Sequence, residues 1–153
     1  MAQILPLVFH PDDRLRLVST PIDPADIAGY ADLVTDMSLT MEEDKGIGLA
    51  APQIGQNIRL ITVLTKDGPF AMFNPRLEKK SRKKEWGEEG CLSIPHLFGQ
   101  VERHHAVTCA FLDTDGQERL IEAEGLMARV IQHEIDHLDG ILFIDTAKDL
   151  HKG

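Results

Sequence analysis

The stretch from Gly125 to Gly140 restricts the fold more than any other part of this sequence, because its apolar residues recur with a helical period. One set follows spacings of four, three and four, namely Leu126, Val130, His133 and His137. Such spacings place a set on one face of an α-helix. The adjoining face comprises Met127, Ile131, Glu134 and Leu138, and a polar stripe comprises Arg129, Gln132, Asp136 and Asp139. We therefore expect a helix that is buried on a broad side and solvated along one edge.

Residues 133–137 of this helix read His-Glu-Ile-Asp-His. Two imidazoles at i and i+4 lie one turn apart on the same face and can bind one metal ion. Glu134 lies beside them, where it can accept a proton from metal-bound water. The alternative is a pair of core or surface histidines with a solvated glutamate. That alternative is weakened because two buried imidazoles without partners would be costly.

A catalytic metal site has three protein ligands and an open position for water. Cys91 is the best candidate for the third ligand, because a thiolate binds Zn²⁺ or Fe²⁺ strongly and its segment is flanked by Gly90 and Pro95. We expect this segment to be a loop rather than a regular strand. An inert buried thiol is the alternative for Cys91. The other ligand candidates are His96, His104, His105 and several acidic residues. Because His104 and His105 are adjacent, they would point to opposite faces of a strand.

The composition limits the class of protein. A chain of 153 residues suits a single domain, 1–153, and a formal net charge of −9 argues against general nucleic-acid binding. Apolar runs such as 140–144 are too short to span a bilayer, and the N-terminus lacks the pattern of a secretory signal. We therefore expect a protein of the cytoplasm or of an organelle interior. Cys109 lies in an alternating apolar run, which predicts a core residue in a strand.

The remaining pattern predicts an α+β fold. Asp23 and Pro24 indicate the start of a helix that runs to about Glu43, and Gly46 and Gly48 open a glycine-rich loop after it. The predicted strands are Arg59–Leu64, Pro69–Phe73, Leu77–Lys80, His105–Leu112 and Glu118–Glu122. We expect antiparallel or mixed sheets packed around the C-terminal metal-binding helix, together with an N-terminal helix.

Three segments resemble the three motifs of the peptide deformylase family. They are GIGLAAPQ at 46–53, EGCLS at 89–93 and QHEIDHLDG at 132–140. The segments occur in the family's order and at compatible separations, and the resemblance extends over most of the chain, to about Asp145. One such motif would be weak evidence, but all three together are highly specific.

The resemblance implies a role for each matching residue. The metal ligands would be Cys91, His133 and His137. Glu134 would act as general base and then as general acid, while the Gln53 amide and the backbone N–H of Leu92 would stabilise an oxyanion. Gln53 considered alone would be interpreted as a surface amide. The substrate cleft would be formed by Gly46, Ile47, Gly48, Glu89, Gly90, Phe98, Leu126 and Val130. Arg103 would form an ion pair with Glu89.

The activity implied by the resemblance is hydrolysis of the N-formyl group from N-formylmethionine at the start of nascent polypeptides, with release of formate. Fe²⁺ is the implied physiological metal, and Zn²⁺, Ni²⁺ or Co²⁺ could substitute for it. We expect a monomer whose peptide substrate adds as a strand to an exposed sheet edge. Two rival functions remain open: an HExxH metallopeptidase with its third ligand downstream of His137, and a non-catalytic, metal-stapled peptide-binding module.

Several features depart from the family pattern. Many relatives continue into a long C-terminal helix associated with ribosome docking, whereas this sequence stops at Gly153. Phe98 stands near the place of a common arginine, and Lys45 stands where some relatives have an acid. The only basic cluster comprises Lys79, Lys80, Arg82, Lys83 and Lys84. It is interpreted as a solvated hairpin tip, or alternatively as a contact with ribosomal RNA.

Overall fold

The computed structural model describes residues 2–153. Its strands are β1 (Gly48–Ala50), β2 (Leu60–Thr65), β3 (Gly68–Lys80), β4 (Lys84–Cys91), β5 (Ile94–His104), β6 (Ala106–Leu112), β7 (Glu118–Glu124) and β8 (Lys148–Lys152). Its α-helices are α1 (Ala31–Glu43) and α2 (Leu126–Leu138). Short 3₁₀ helices occupy Asp13–Arg16, Pro24–Tyr30, Ala51–Ile54 and Phe143–Asp145.

The strands form two antiparallel sheets, which confirms the predicted α+β class. The larger sheet has the order β1-β2-β3-β6-β7, and the smaller has the order β4-β5-β8. Helix α2 contacts β1, β2 and β7 of the larger sheet and β5 of the smaller one. The central helix is therefore enclosed by both sheets. No helix within residues 2–153 combines the length and the apolar character that a bilayer crossing requires.

Helix α2 matches its predicted extent, but most of the edge that was predicted to be solvated is covered by protein. Gln132 is buried, and its side chain accepts a hydrogen bond from the backbone N–H of His104 at 3.1 Å and donates one to the carbonyl of the same residue at 2.9 Å. Most of the polar stripe therefore faces strand β5, whereas Asp139 at its end is exposed. The prediction of a buried face is also wrong at the start of the helix, because Leu126 is 65% exposed.

The N-terminal helical segment begins where Asp23 predicted it, with the Asp23 carboxylate accepting a hydrogen bond from the N–H of Ala25 at 2.9 Å. The first part, up to Tyr30, is 3₁₀ and the remainder is α1, which ends at Glu43 as predicted. Met37 and Met41 are fully buried and pack into an apolar cluster with residues of the larger sheet.

The two short strands predicted around Asn74 are one strand, β3, with register shifts between Phe73 and Arg76. Asn74 has a φ of 50°, and its side chain bonds the backbone N–H and carbonyl of Ile22 at 2.8 and 2.7 Å. The asparagine-proline pair thus marks a bulge, a device that bends a strand without ending it.

The basic cluster does not form a hairpin tip, which corrects the first interpretation. Strand β3 pairs with β6, and β4 pairs with β5. The segment from Ser81 to Lys83 therefore connects the two sheets. The cations of the cluster are nevertheless exposed, as predicted for a solvated segment.

Candidate metal centre

A thiol and two imidazoles from distant parts of the chain converge at the surface of α2. Cys91 is the last residue of β4 and not part of a loop, because β5 begins only three residues later. Its Sγ and one ring nitrogen from each of His133 and His137 lie within 4.8 Å of one another. The distance from Sγ to Nε2 of His137 is 3.3 Å. The donor set suits a borderline-soft divalent metal such as Zn²⁺ or Fe²⁺.

The surroundings of the two histidines fit this use. His133 and His137 are 8% and 1% exposed. Nδ1 of His133 bonds the Glu89 carboxylate at 2.8 Å, which leaves Nε2 free to face the thiol. Burial lowers the pKa of His137 well below its usual value, so this ring is neutral, as a metal ligand must be.

Glu89 accepts hydrogen bonds from several donors around the candidate ligand His133. Its carboxylate accepts two hydrogen bonds from Arg103, both at 2.9 Å, and one from Arg129 at 2.7 Å. Burial alone would raise the pKa of Glu89, but hydrogen bonds from Arg103 and His133 hold it well below its usual range. The predicted ion pair between Arg103 and Glu89 is confirmed. Arg129 was missed, because its place in the polar stripe indicated a solvated side chain.

Glu134 lies in the helix between the two histidines and is 4% exposed. Its Oε1 atom has no hydrogen-bond partner among residues 2–153. Burial raises the pKa of Glu134 to about 7, which is near the value that a general base needs at neutral pH. Gly48 leaves space for this carboxylate, because a Cβ at that position would lie 2.5 Å from Oε2.

Gln53 is buried in the 3₁₀ turn that follows β1, so the interpretation as a surface amide is wrong. Its Oε1 accepts a hydrogen bond from the N–H of Ala50 at 2.9 Å. This bond orients Nε2 toward Oγ of Ser93 at 3.2 Å and Sγ of Cys91 at 3.5 Å. The amide donor of Gln53 therefore points at the candidate metal centre. The Leu92 side chain lies close to Gly46, where a Cβ would be 2.8 Å from its Cδ1.

A cavity of about 480 Å³ opens onto these groups. Of the predicted site residues it is lined by Gly46, Ile47, Gly48, Gln53, Glu89, Gly90, Cys91, Leu92, Phe98, Leu126, Val130, His133 and Glu134. His137 is not among the lining residues. Cavity residues that the sequence did not single out for this role are Lys45, Glu88, Ile94, Pro95, His96, Leu97 and Arg129. The cavity touches β1 and β4, which are edge strands of their sheets.

Two of the other ligand candidates have partners elsewhere. Nδ1 of His104 bonds the carbonyl of Ser81 at 2.7 Å, and Nδ1 of His105 bonds Glu85 at 3.0 Å. Downstream of the second histidine, Asp145 is paired with Arg16. A metallopeptidase ligand from this part of the chain therefore has no support.

Comparisons with known proteins agree with this geometry. The family model described as "Polypeptide deformylase" matches residues 4–153. A peptide deformylase of Rhizobium meliloti is 46% identical over 154 residues, covering 97% of this chain and 88% of the relative. A Met-Ala-Ser-bound class I type b peptide deformylase of Acinetobacter baumannii has a TM-score of 0.91 and 35% identity, covering 95% of this chain and 99% of that one. A Synechococcus elongatus peptide deformylase in complex with actinonin has a TM-score of 0.89 and 38% identity, covering 95% and 79%.

Proposed function

Because this chain belongs to the peptide deformylase family, a family of metal-dependent hydrolases, we propose that its cleft binds the formylated N-terminus of a nascent peptide. Cys91, His133 and His137 hold the metal ion in this proposal. The observation that supports it most directly is the convergence of their three donor atoms within 4.8 Å at the wall of a cavity. The bound metal would supply a Lewis acid and lower the pKa of a water molecule toward ~7.

Glu134 moves the proton in this proposal. Its carboxylate faces the cavity without a partner on Oε1 among the described residues, so it is free to accept a proton from the attacking water. After attack on the formyl carbon, the same group gives the proton to the departing amine, and formate leaves. One side chain thereby serves as base and then as acid.

Gln53 and the backbone N–H of Leu92 stabilise the negative charge that develops on the formyl oxygen. Nε2 of Gln53 is already aimed at the centre, because Ala50 fixes the opposite end of the amide. A pre-oriented donor of this kind is typically worth about 3–4 kcal/mol in the activation free energy.

The substrate backbone adds as a strand to an exposed edge at the cleft. Strand β1 offers such an edge, and Gly46 and Gly48 let the peptide approach closely. Ile47, Leu126 and Val130 provide an apolar wall for the methionine side chain. The Met-Ala-Ser peptide named for the Acinetobacter baumannii relative has the sequence expected of a deformylated N-terminus, which supports a peptide as the occupant of this cleft.

We propose Fe²⁺ as the physiological metal, because the resemblance implies it and a thiolate with two imidazoles accepts it. Zn²⁺, Ni²⁺ and Co²⁺ are substitutes that the same donors would bind. The chain would work as a monomer and a single domain, 1–153, in the cytoplasm or the interior of an organelle.

A formate-release assay under anaerobic conditions with defined metals tests the function. We expect Glu134→Ala to lower kcat by about 10²–10⁴-fold, the usual contribution of a general acid-base group, while the metal content stays equal to that of the wild type. Mass spectrometry should show loss of the formyl group from formyl-Met peptides without backbone cleavage. Wild-type protein that cuts the backbone, or binds peptide without turnover, would contradict the proposal and favour a rival function.

We further propose that the basic cluster contacts ribosomal RNA. None of its five cations forms an ion pair with another of the residues 2–153. The chain as a whole has a formal net charge of −9, these five cations included, so the rest of its surface repels a polyanion. Strand β4 begins at Lys84 and ends at Cys91, so the cluster lies about 23 Å from the metal centre at ~3.3 Å per residue. The cluster is thus separate from the residues that line the cleft.

Cosedimentation with ribosomes tests this contact. The variant Lys83→Gln/Lys84→Gln should bind less at low salt and show a weaker salt dependence, because phosphate contacts release counterions. Lys66→Gln/Lys152→Gln changes the net charge equally and is the matched control. Equal binding by the two variants would refute an RNA contact at the cluster.

A further inference from the structure

Strand β8 adjoins the part of β5 that lines the cleft. Phe98 is paired with His151 and Leu97 with Lys152, and the N–H of Gly153 donates to the carbonyl of His96 at 3.0 Å. His96, Leu97 and Phe98 all line the cavity. The last strand therefore supports one cleft wall from behind.

The ring of Phe98 is held between two strands. On one side it covers Gly90 of β4, where a Cβ would lie 2.7 Å from the ring. On the other side the ring centroid lies 6.2 Å from that of His151, and a Cβ at Gly153 would be 3.0 Å from the ring. The position of Phe98 consequently depends on β8.

Two contacts tie β8 to β4 across the intervening strand. Nε2 of His151 lies 3.1 Å from Oε1 of Glu88, and Nζ of Lys148 lies 5.0 Å from the Trp86 ring centroid. All five residues of β8 are exposed, so these contacts are individually weak. The backbone pairing with β5 therefore holds β8 in place, and its side chains add only weak contacts to β4.

The pairing of β4 with β5 indicates which part of a substrate Phe98 faces. Cys91 pairs with Ile94 and Glu89 with Gly99, so β5 bulges between these two pairs, and the Phe98 ring covers Gly90 inside this interval. Cys91 and Glu89 are two residues apart, about 7 Å at ~3.3 Å per residue, and an extended peptide advances by a similar rise. With the formyl group at the metal centre, Phe98 therefore lies beside methionine and the residue that follows it. We propose that β8 positions Phe98 in the cleft wall and thereby sets a preference for apolar side chains after methionine, an inference that rests on the proposed function.

The test compares formyl-Met-Leu-Ser with formyl-Met-Ser-Ser as substrates. We expect His151→Ala to lower the preference for the leucine peptide by about threefold or more, through KM and with kcat nearly unchanged. In a Phe98→Ala background the same substitution should have no further effect, because two residues that act through one contact are not additive. Lys152→Ala, an exposed neighbour on β8, is the matched control and should retain the wild-type preference.

Quenching of fluorescence from Trp86, the only tryptophan, reports independently whether β8 stays attached in His151→Ala. If β8 stays attached in that variant, the same two peptides are compared in the chain without residues 148–153. We expect that shortened chain to lack the preference for the leucine peptide. A wild-type preference in that shortened chain overturns the role of β8, as does an equal loss in Lys152→Ala. Failure of the wild type to deformylate either peptide would instead refute the proposed function, and this inference with it.

Discussion

At the scale of single residues, Glu89 connects the metal centre to the rest of the molecule. Its buried carboxylate receives Nδ1 of His133 and guanidinium donors from Arg103 and Arg129. An acceptor on Nδ1 fixes the tautomer and the ring orientation of a ligand histidine, and it raises the basicity of the other nitrogen. In the proposed enzyme, Glu89 is thus a positioning residue and not a metal ligand.

Glu89→Gln should lower metal affinity by about 10–100-fold, the usual cost of losing a partner of a ligand histidine. The amide keeps the shape of the side chain but loses the charge that Arg103 and Arg129 neutralise. Competition with a chelator measures the affinity. Glu88→Gln, the adjacent residue with a half-exposed side chain, is the control and should bind metal normally. Equal affinities in the two variants would contradict the positioning role.

The sequence predicted best those residues whose spacing in a motif fixes their relative positions in the fold. Two histidines at i and i+4 must share a helix face, so their convergence follows from α-helix geometry alone. The third ligand required a long-range contact, because Cys91 is 42 positions or more away in sequence from either histidine, as the numbering shows. Its assignment therefore depended on the chemistry of thiolates and on the family resemblance.

At the scale of secondary structure, the larger sheet was easier to predict than the smaller one. Strands β2 and β6 contain runs of buried apolar residues, so composition reveals them. Strands β4 and β5 bury Glu89 and Arg103 toward α2, and a buried charged network removes the usual alternation of apolar and polar residues. Neither strand was predicted.

A strand is also hard to predict from sequence when close packing requires a glycine in it. In β4, Gly87 lies against the Arg129 guanidinium, where a Cβ would be 2.8 Å from Cζ. Glycine is depleted in strands in general, so its presence argued against β4. Strand β8 has no buried residue and therefore no periodic signal. Its pairing with β5 is a tertiary effect that local sequence does not reveal.

At the scale of the whole molecule, the candidate metal centre adds a link between the two sheets. Cys91 belongs to β4 of the smaller sheet, whereas the two histidines belong to α2, which packs against β1, β2 and β7 of the larger sheet and also contacts β5. In the proposed enzyme, a bound ion would therefore link parts of the chain that are separate in the unfolded state. Metal binding of this kind adds directly to the free energy of unfolding.

Removing the metal should consequently lower the melting temperature. A ligand present at 100 times its Kd contributes about 2.7 kcal/mol, and a domain of this size gains about 2–4 °C per kcal/mol. We expect chelation to lower the Tm of the wild type by about 5–10 °C in scanning calorimetry. Cys91→Ala should melt at the same temperature with or without metal, because it lacks the link between the sheets. Cys109→Ala removes a buried thiol of β6, so it should be less stable yet keep the full metal-dependent increment. A wild-type Tm that does not respond to metal, or an increment that survives in Cys91→Ala, would contradict the view that the ion joins the two sheets.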